Sequence, residues 1–370
     1  MSSAAVALPG GMRRAPPLQA GGGAGAPRWR LRRSRGRGPG RACARQAKAA
    51  TGCDEAGAQR DGAAVEFESN RSLAQHSTYG IGGPADMFAT VRTVEELRRA
   101  YAQCMSRGAR TLVLGRGSNV LFDDAGFRGC VIENRVDFCE RLEGAASGDT
   151  ADRVRYHVGA GVPFNTLGTK LSAKGLTGLE FACGIPGTLG GAIVMNAGAN
   201  GQEVAAVVES VDVVMPDGGM RTLHADKGEL PTGYRSTVFQ RGGEYARCAV
   251  ASATLRLARD TRARDTQLTY AAQRKASQPV TARSCGCIFR NPGGDAPSAG
   301  ALIDQSGLKG ARVGGAAVSD MHANFLVNAQ GASAADVRGL IQRVKDVVRE
   351  QHGHELREEV LYIKADEDES

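Results

Sequence analysis

The sequence predicts a mixed α+β protein whose ligand site lies at strand ends, and three observations carry that prediction. An amphipathic helix feeds a short apolar strand that stops at a glycine loop, over residues 93–119. A second glycine-rich stretch, 181–201, precedes an alternating run and a turn. Beyond a charged break at 258–266, helical and strand patterns resume.

Taken in order, structure is expected to begin near Leu73. Thr93 can cap a helix to Gly108, with Glu95 and Glu96 in its first turn and Leu97, Ala100, Tyr101 and Cys104 on one face. The strand Thr111–Leu114 leads into Gly115-Arg116-Gly117-Ser118-Asn119, and Val120–Phe122 follows. Strands are predicted at 129–133 and 154–158, and a helix at 163–174 stopped by Gly175. Residues 207–215 alternate like a strand, and Asp217-Gly218-Gly219 turns it back through 220–224. A further strand covers 246–257. The last part predicts a helix at 265–276, a loop at 281–292, and a long helix from 334 to 352 with a Ser333/Asp336 capping box, a buried stripe of Val337, Leu340, Ile341, Val344, Val347 and Val348, and Gly353 as its stop. Val360–Ile363 reads as a closing strand.

The 370-residue chain carries a formal +8, but the charge is unevenly placed. Residues 1–53 hold ten arginines and Lys48 and no acid, so those eleven cations leave residues 54–370 at −3. The basic character therefore belongs to a leader rather than to a nucleic-acid surface. Rich in Arg, Ala, Gly and Pro, and without a continuous apolar segment, that leader reads as an organelle transit peptide, with 54–69 as a linker. No apolar run is long enough to span a bilayer, so no membrane partner is expected. Nine cysteines contain no CxxC pair, and the six histidines show no ligand spacing beside them. A reducing compartment and no structural metal are expected.

Two loops point to a bound anion. In 115–119, glycines let backbone N–H groups face phosphate oxygens, and Ser118 and Asn119 offer side-chain donors. A tight turn explains that loop equally well. The second is Gly184-Ile185-Pro186-Gly187-Thr188-Leu189-Gly190-Gly191, running into Asn196-Ala197-Gly198. Each glycine costs about 0.5–1 kcal/mol relative to alanine in regular structure, and a dinucleotide lying along the backbone accounts for so many.

These loops, with TYGIGG at 78–83, GLEFACGIPG at 178–187, GYRS at 233–236, SCG at 284–286, ALIDQSGLKG at 301–310 and HANFLVN at 322–328, resemble UDP-N-acetylenolpyruvoylglucosamine reductases in the family's motif order across about 70–364. The resemblance implies a two-subdomain FAD-binding fold of the vanillyl-alcohol-oxidase type, at 70–125 and 126–260, plus an α+β domain at 261–370 for the UDP-sugar. It implies FAD and NADPH as cofactors and reduction of an enolpyruvyl ether to UDP-N-acetylmuramate. The short interval between Tyr234 and Ser284 is similar to the family's shorter type, which lacks an extra substrate-clamping loop. The resemblance favours a plastid over a mitochondrion, and a monomer is expected.

The chemistry selects particular residues. Hydride addition to the enolpyruvyl C3 leaves negative charge on C2 and its carboxylate, which needs a fixed cation. Arg235 offers a permanently charged fork. Glu359 matches the family's active-site glutamate and is suited to orienting that arginine or relaying a proton. Cys287 stands where the family usually places a serine as proton donor. A thiol can deliver a proton, and Arg283 and Arg290 are the nearby cations expected to acidify it and make it open to oxidation if they face the site. Ser277 replaces a frequent family lysine, with Arg274 and Lys275 as candidate substitutes. Tyr234, Asn291, Gln305 and Asn324 complete the candidate substrate contacts; an ordinary surface or structural role is the alternative for each. An oxidase of the same fold, or a flavin-binding homologue impaired at Ser277 and Cys287, are the competing readings.

Overall fold

In the computed structural model, residues 64–143 and 153–366 are described; the leader and most of the linker lie outside them. Structure begins earlier than the sequence suggests. Strand β1 (Glu68–Ser72) pairs antiparallel with β2 (Pro84–Val91). Its Glu-Ser-Asn-Arg-Ser composition is polar because it forms a sheet edge with little buried surface, so no hydrophobic pattern announces it. The sheet order is β1-β2-β5-β3, where β3 (Thr111–Leu114) and β2 both run parallel to β5 (Phe127–Asn134).

Helix α1 (Val94–Ser106) makes the crossover from β2 to β3. Thr93 caps it by accepting the Glu96 N–H at 3.1 Å. Its buried face is Leu97, Ala100, Tyr101 and Cys104, which pack with Ile132, Val214 and Ala251. The helix thus lies between the first sheet and a second one.

That second sheet is antiparallel, in the order Met220–His224, Val208–Val214, Ala249–Arg259, β7 (Arg153–Gly159), β6 (Cys139–Leu142), with Leu176–Thr177 added to the long strand's end. Helix α2 (Phe164–Ser172) buries Phe164, Leu167 and Leu171 in the same core as Val158, Val211 and Leu255. The short α3 (Leu189–Val194) begins within the glycine-rich stretch.

Helix α4 (Ala263–Ser277) opens the C-terminal part. There α5 (Ala299–Gln305) and α6 (Ala334–His352) share a core with the small antiparallel sheet Arg312–Val313, Ala316–Val318, Leu326–Asn328. The Ser333/Asp336 capping box is present, and Gly353 ends α6 with φ of 69°. The chain then returns: Leu361–Ile363 pairs in parallel with β4 (Val120–Phe122), the strand leaving the first glycine loop. This last pairing carries residue 359 across to the N-terminal half. Among the described residues, no helix is long and apolar enough to cross a membrane.

Candidate active site

The loop 115–119 is held open by its backbone. Gly117 has φ of 59°, and a Cβ there would sit 2.1 Å from the His76 carbonyl oxygen, so only glycine fits. The Gly117 carbonyl accepts the Thr78 N–H at 3.1 Å. Among the described residues, none of the five N–H groups of 115–119 donates to a protein acceptor. A row of free backbone donors is what an anion needs.

The side chains of that loop do something else. Ser118 Oγ donates to the Pro186 carbonyl at 3.1 Å, and Asn119 Nδ2 donates to the Glu359 carbonyl at 3.1 Å. They tie the first loop to the second and to the C-terminal strand. The expectation that both serve as phosphate donors is therefore corrected. Across the cleft, Thr188 caps α3 by accepting the Gly191 N–H, and Gly190 N–H donates to the Ala160 carbonyl at 2.9 Å.

Between the two loops lies a cavity of about 520 Å³. All of 115–119 line it, as do Ile185, Pro186, Gly187, Gly190, Gly191, Ala197 and Gly198. So do Arg235, Cys287 and Glu359, and also Tyr234, Arg274, Asn291 and Asn324. Such a volume is within the range of roughly 300–1,000 Å³ usual for ligand and cofactor pockets.

Arg235 is the centre of its polar wall. Its backbone is left-handed, with φ of 52°, a conformation that costs a non-glycine residue about 1–3 kcal/mol. Nε donates to Glu359 Oε1 at 2.8 Å, Nη1 to the Asn196 carbonyl at 3.1 Å and Nη2 to the Gly198 carbonyl at 2.9 Å. Of a guanidinium's five N–H bonds, two remain for a ligand. Both partners of the Arg235–Glu359 pair are largely buried, at 15% and 17% side-chain exposure.

Cys287 reaches this wall from a third direction. The strip Cys287–Phe289 is stitched between the Asn324–Phe325 segment and Glu358–Glu359: Ile288 N–H donates to the Asn324 carbonyl at 2.9 Å, and Glu359 N–H to the Ile288 carbonyl at 2.7 Å. Burial, and then the Glu359 carboxylate, push the Cys287 thiol up to about 11; Arg274 and Arg235 pull against them and lose. The cations facing this thiol are thus Arg274 and Arg235. Arg283 lies against Gly80 instead. The expectation of an acidified, oxidant-sensitive thiol is reversed, because removal from water outweighs the nearby positive charge.

Two family models match the chain. A family model described as the FAD binding domain matches residues 85–224. One described as the UDP-N-acetylenolpyruvoylglucosamine reductase C-terminal domain matches 278–363. A UDP-N-acetylenolpyruvoylglucosamine reductase of Protochlamydia amoebophila is 42% identical over 301 residues, 81% of this chain and 95% of that relative. The chain belongs to the UDP-N-acetylenolpyruvoylglucosamine reductase family. A relative of the same name from Halalkalibacterium halodurans is 39% identical over 302 residues, 80% of this chain and 94% of its own length. The crystal structure of the reductase from Thermus caldophilus superposes with a TM-score of 0.64 at 34% identity, covering 80% of this chain and 99% of that one.

Within this reductase family framework, four residues expected at the site lie outside the cavity lining. Asn196 is fully buried, and its side chain donates to Glu203 and to the Gly233 carbonyl and accepts from Ala205 N–H, so it holds backbone. Gly184 is a glycine because a Cβ there would lie 2.2 Å from Arg274 Cδ; it makes room for that arginine. Lys275 is exposed, one helical step round from the inward face of α4. Gln305, the last residue of α5, is exposed as well.

Asn324 lines the cavity, but its amide both accepts from Phe289 N–H and donates to the Phe289 carbonyl, at 2.9 and 2.8 Å. Its work is to fix the Cys287–Phe289 strip. Asn291 Oδ1 accepts the Ala299 N–H at the start of α5, and its own N–H reaches Tyr234 OH at 3.4 Å. Ser277 is exposed and donates back to the Gln273 carbonyl at 2.9 Å, away from the cavity.

Gln278 was not among the expected residues. Its Oε1 is buried without a partner, as is Arg274 Nε four residues earlier, and both residues line the cavity. The i, i+4 spacing at the end of α4 is the signal that finds it.

The residues present fit FAD. The 115–119 loop supplies free backbone donors for a pyrophosphate, and the cavity that both glycine loops line continues to Arg235 and Cys287. Among the described residues, no group of His, Cys, Asp and Glu is arranged to hold a metal ion.

Proposed function

We propose that this chain reduces the enolpyruvyl group of UDP-N-acetylenolpyruvoylglucosamine to the lactyl group of UDP-N-acetylmuramate, using FAD and NADPH. One observation carries it: Arg235, Cys287 and Glu359, distant in sequence, meet at the one cavity that the two glycine loops also line. FAD, held by 115–119 and 185–198, would carry hydride from NADPH to C3 of the substrate.

The chain's own residues do the rest. The two uncommitted N–H bonds of Arg235 form a fork for the substrate carboxylate, on which charge grows as C3 gains hydride. Glu359 holds the guanidinium in place and adds the negative field that keeps the Cys287 thiol protonated. Cys287 then gives its proton to C2 and is reprotonated from solvent. Arg274 has no carboxylate partner among the described residues, and its Nε lacks any acceptor. It suits the diphosphate of the UDP-sugar.

The acid-free leader supports import into a plastid, and the short Tyr234–Ser284 interval supports the shorter family type. Full-length protein, loaded with FAD and reduced with NADPH under anaerobic conditions, should be reoxidised by UDP-N-acetylenolpyruvoylglucosamine. Reoxidation by oxygen alone would favour an oxidase and overturn the proposal. A fluorescent fusion of the full chain found in the cytosol would remove the plastid assignment.

A further inference from the structure

Arg235 needs more than its charge to work, because its fork must point at the carboxylate from a backbone conformation it does not favour. Among the described residues, three others lacking the glycine hydrogen share positive φ, and all are asparagine: Asn70, Asn196 and Asn200. Something must hold Arg235 there. Two side chains converge on its backbone. Gln240 Nε2 donates to the Arg235 carbonyl at 3.1 Å and to the Val194 carbonyl at 3.0 Å. Asn196, itself left-handed with φ of 42°, donates from Nδ2 to the Gly233 carbonyl at 3.0 Å, two residues before Arg235. The Asn196 carbonyl meanwhile receives Arg235 Nη1. The arginine's loop is therefore bolted to the end of α3 from both sides.

We propose that Gln240 and Asn196 are positioning residues that hold Arg235 in its left-handed conformation and so aim its guanidinium at the substrate carboxylate. Neither lies in the family of side chains that touch substrate: Asn196 is fully buried, and Gln240 is absent from the cavity lining. The inference rests on the reading that Arg235 receives a carboxylate. Its consequence is selective. Losing the bolt leaves the nucleotide and sugar contacts in place and misdirects only the fork.

The test uses Gln240→Met, which keeps length and removes the donor, and Asn196→Asp. Two ligands separate the effects: UDP-N-acetylmuramate carries the carboxylate, and UDP-N-acetylglucosamine lacks it. Gln240→Met should weaken binding of the first by roughly tenfold and leave the second within about twofold. Reoxidation of NADPH-reduced enzyme by substrate should slow by roughly 10- to 100-fold, while reduction by NADPH stays within about twofold. In an Arg235→Ala background, Gln240→Met should change carboxylate-ligand affinity no further. Equal weakening of both ligands, or no weakening of either, overturns the inference, as does full additivity with Arg235→Ala. Should Asn196→Asp fail to fold, Gln240→Met decides alone. A native enzyme that binds both ligands equally removes the carboxylate reading itself, and this inference with it.

Discussion

Two guanidinium groups face the same cavity in opposite states. Arg235 is engaged on three sides, by Glu359 and two carbonyls. Arg274 is half-buried on the end of α4 with its Nε closed off and unpaired, and removal from water pulls its pKa down from the usual guanidinium value. The difference teaches what each awaits. A preorganised fork stabilises charge that appears during reaction, whereas an uncompensated buried cation is relieved by an anion that the substrate brings ready-made. The first should govern turnover and the second affinity.

The sharpest break of that contrast comes from Arg235→Ala. Reoxidation of the reduced enzyme by substrate should fall by about 10³-fold, with UDP-sugar affinity much less affected. Arg235→Lys should restore little, since an ammonium has three donors and no planar fork, too few to hold Glu359 and two carbonyls and still receive a carboxylate. A rise in KM alone, with kcat intact, would exchange the roles assigned to the two arginines.

Cys287→Ala should cost about 10²-fold in the same step, and Cys287→Ser should keep most of it. The acid form of the thiol is the active one and its pKa is raised to about 11, so the rate should hold between about pH 6 and about pH 9 and fall only as pH climbs toward that value. Glu359→Gln removes a charge that raises this pKa. Alkylation of Cys287 at mild alkaline pH should therefore speed up in that variant, read by mass spectrometry against exposed Cys139.

Arg274→Met should raise KM for the UDP-sugar by roughly 10- to 100-fold, the worth of about 1.5–3 kcal/mol for a charged hydrogen bond, with kcat near native. The same variant should melt higher than the native chain without ligand and gain less from added UDP, because the native cation lacks a partner until an anion arrives. The smallest effect belongs to Ser277→Lys. A lysine there would stand on the exposed side of α4, so affinity should change by less than about twofold. A large gain would mean that α4 turns a different face to substrate.

Much of the architecture was legible along the chain. Helix α1, with its Thr93 cap and its apolar face, follows from local periodicity, as does α6 with its capping box. Each depends on contacts within a turn or two. Strand β1 was not legible, because a polar edge strand is specified by its neighbour rather than by its own residues. The site divides the same way. Glycines at 115–119 and 184–191 advertise backbone use, and the motif resemblance drew Arg235, Cys287 and Glu359 together on paper. Asn196 and Gly184 belong to the same glycine-rich motif, yet one bolts the backbone and the other clears space for Arg274. Sequence spacing cannot separate a residue that touches a ligand from one that supports its neighbour.

By itself the sequence determined most of the helices and strands, where backbone bends through glycine, and which residues are candidates to carry the charge and the proton. Only the tertiary structure decided which cations face Cys287, that burial raises its thiol's pKa, and that Arg235 has three protein partners while Arg274 Nε has none. The reason is physical. Helix and turn formation depend on neighbours a few residues away, but a pKa and an ion pair depend on distance and burial in space, and the pairing of Leu361–Ile363 with Val120–Phe122 brings together residues some 240 apart.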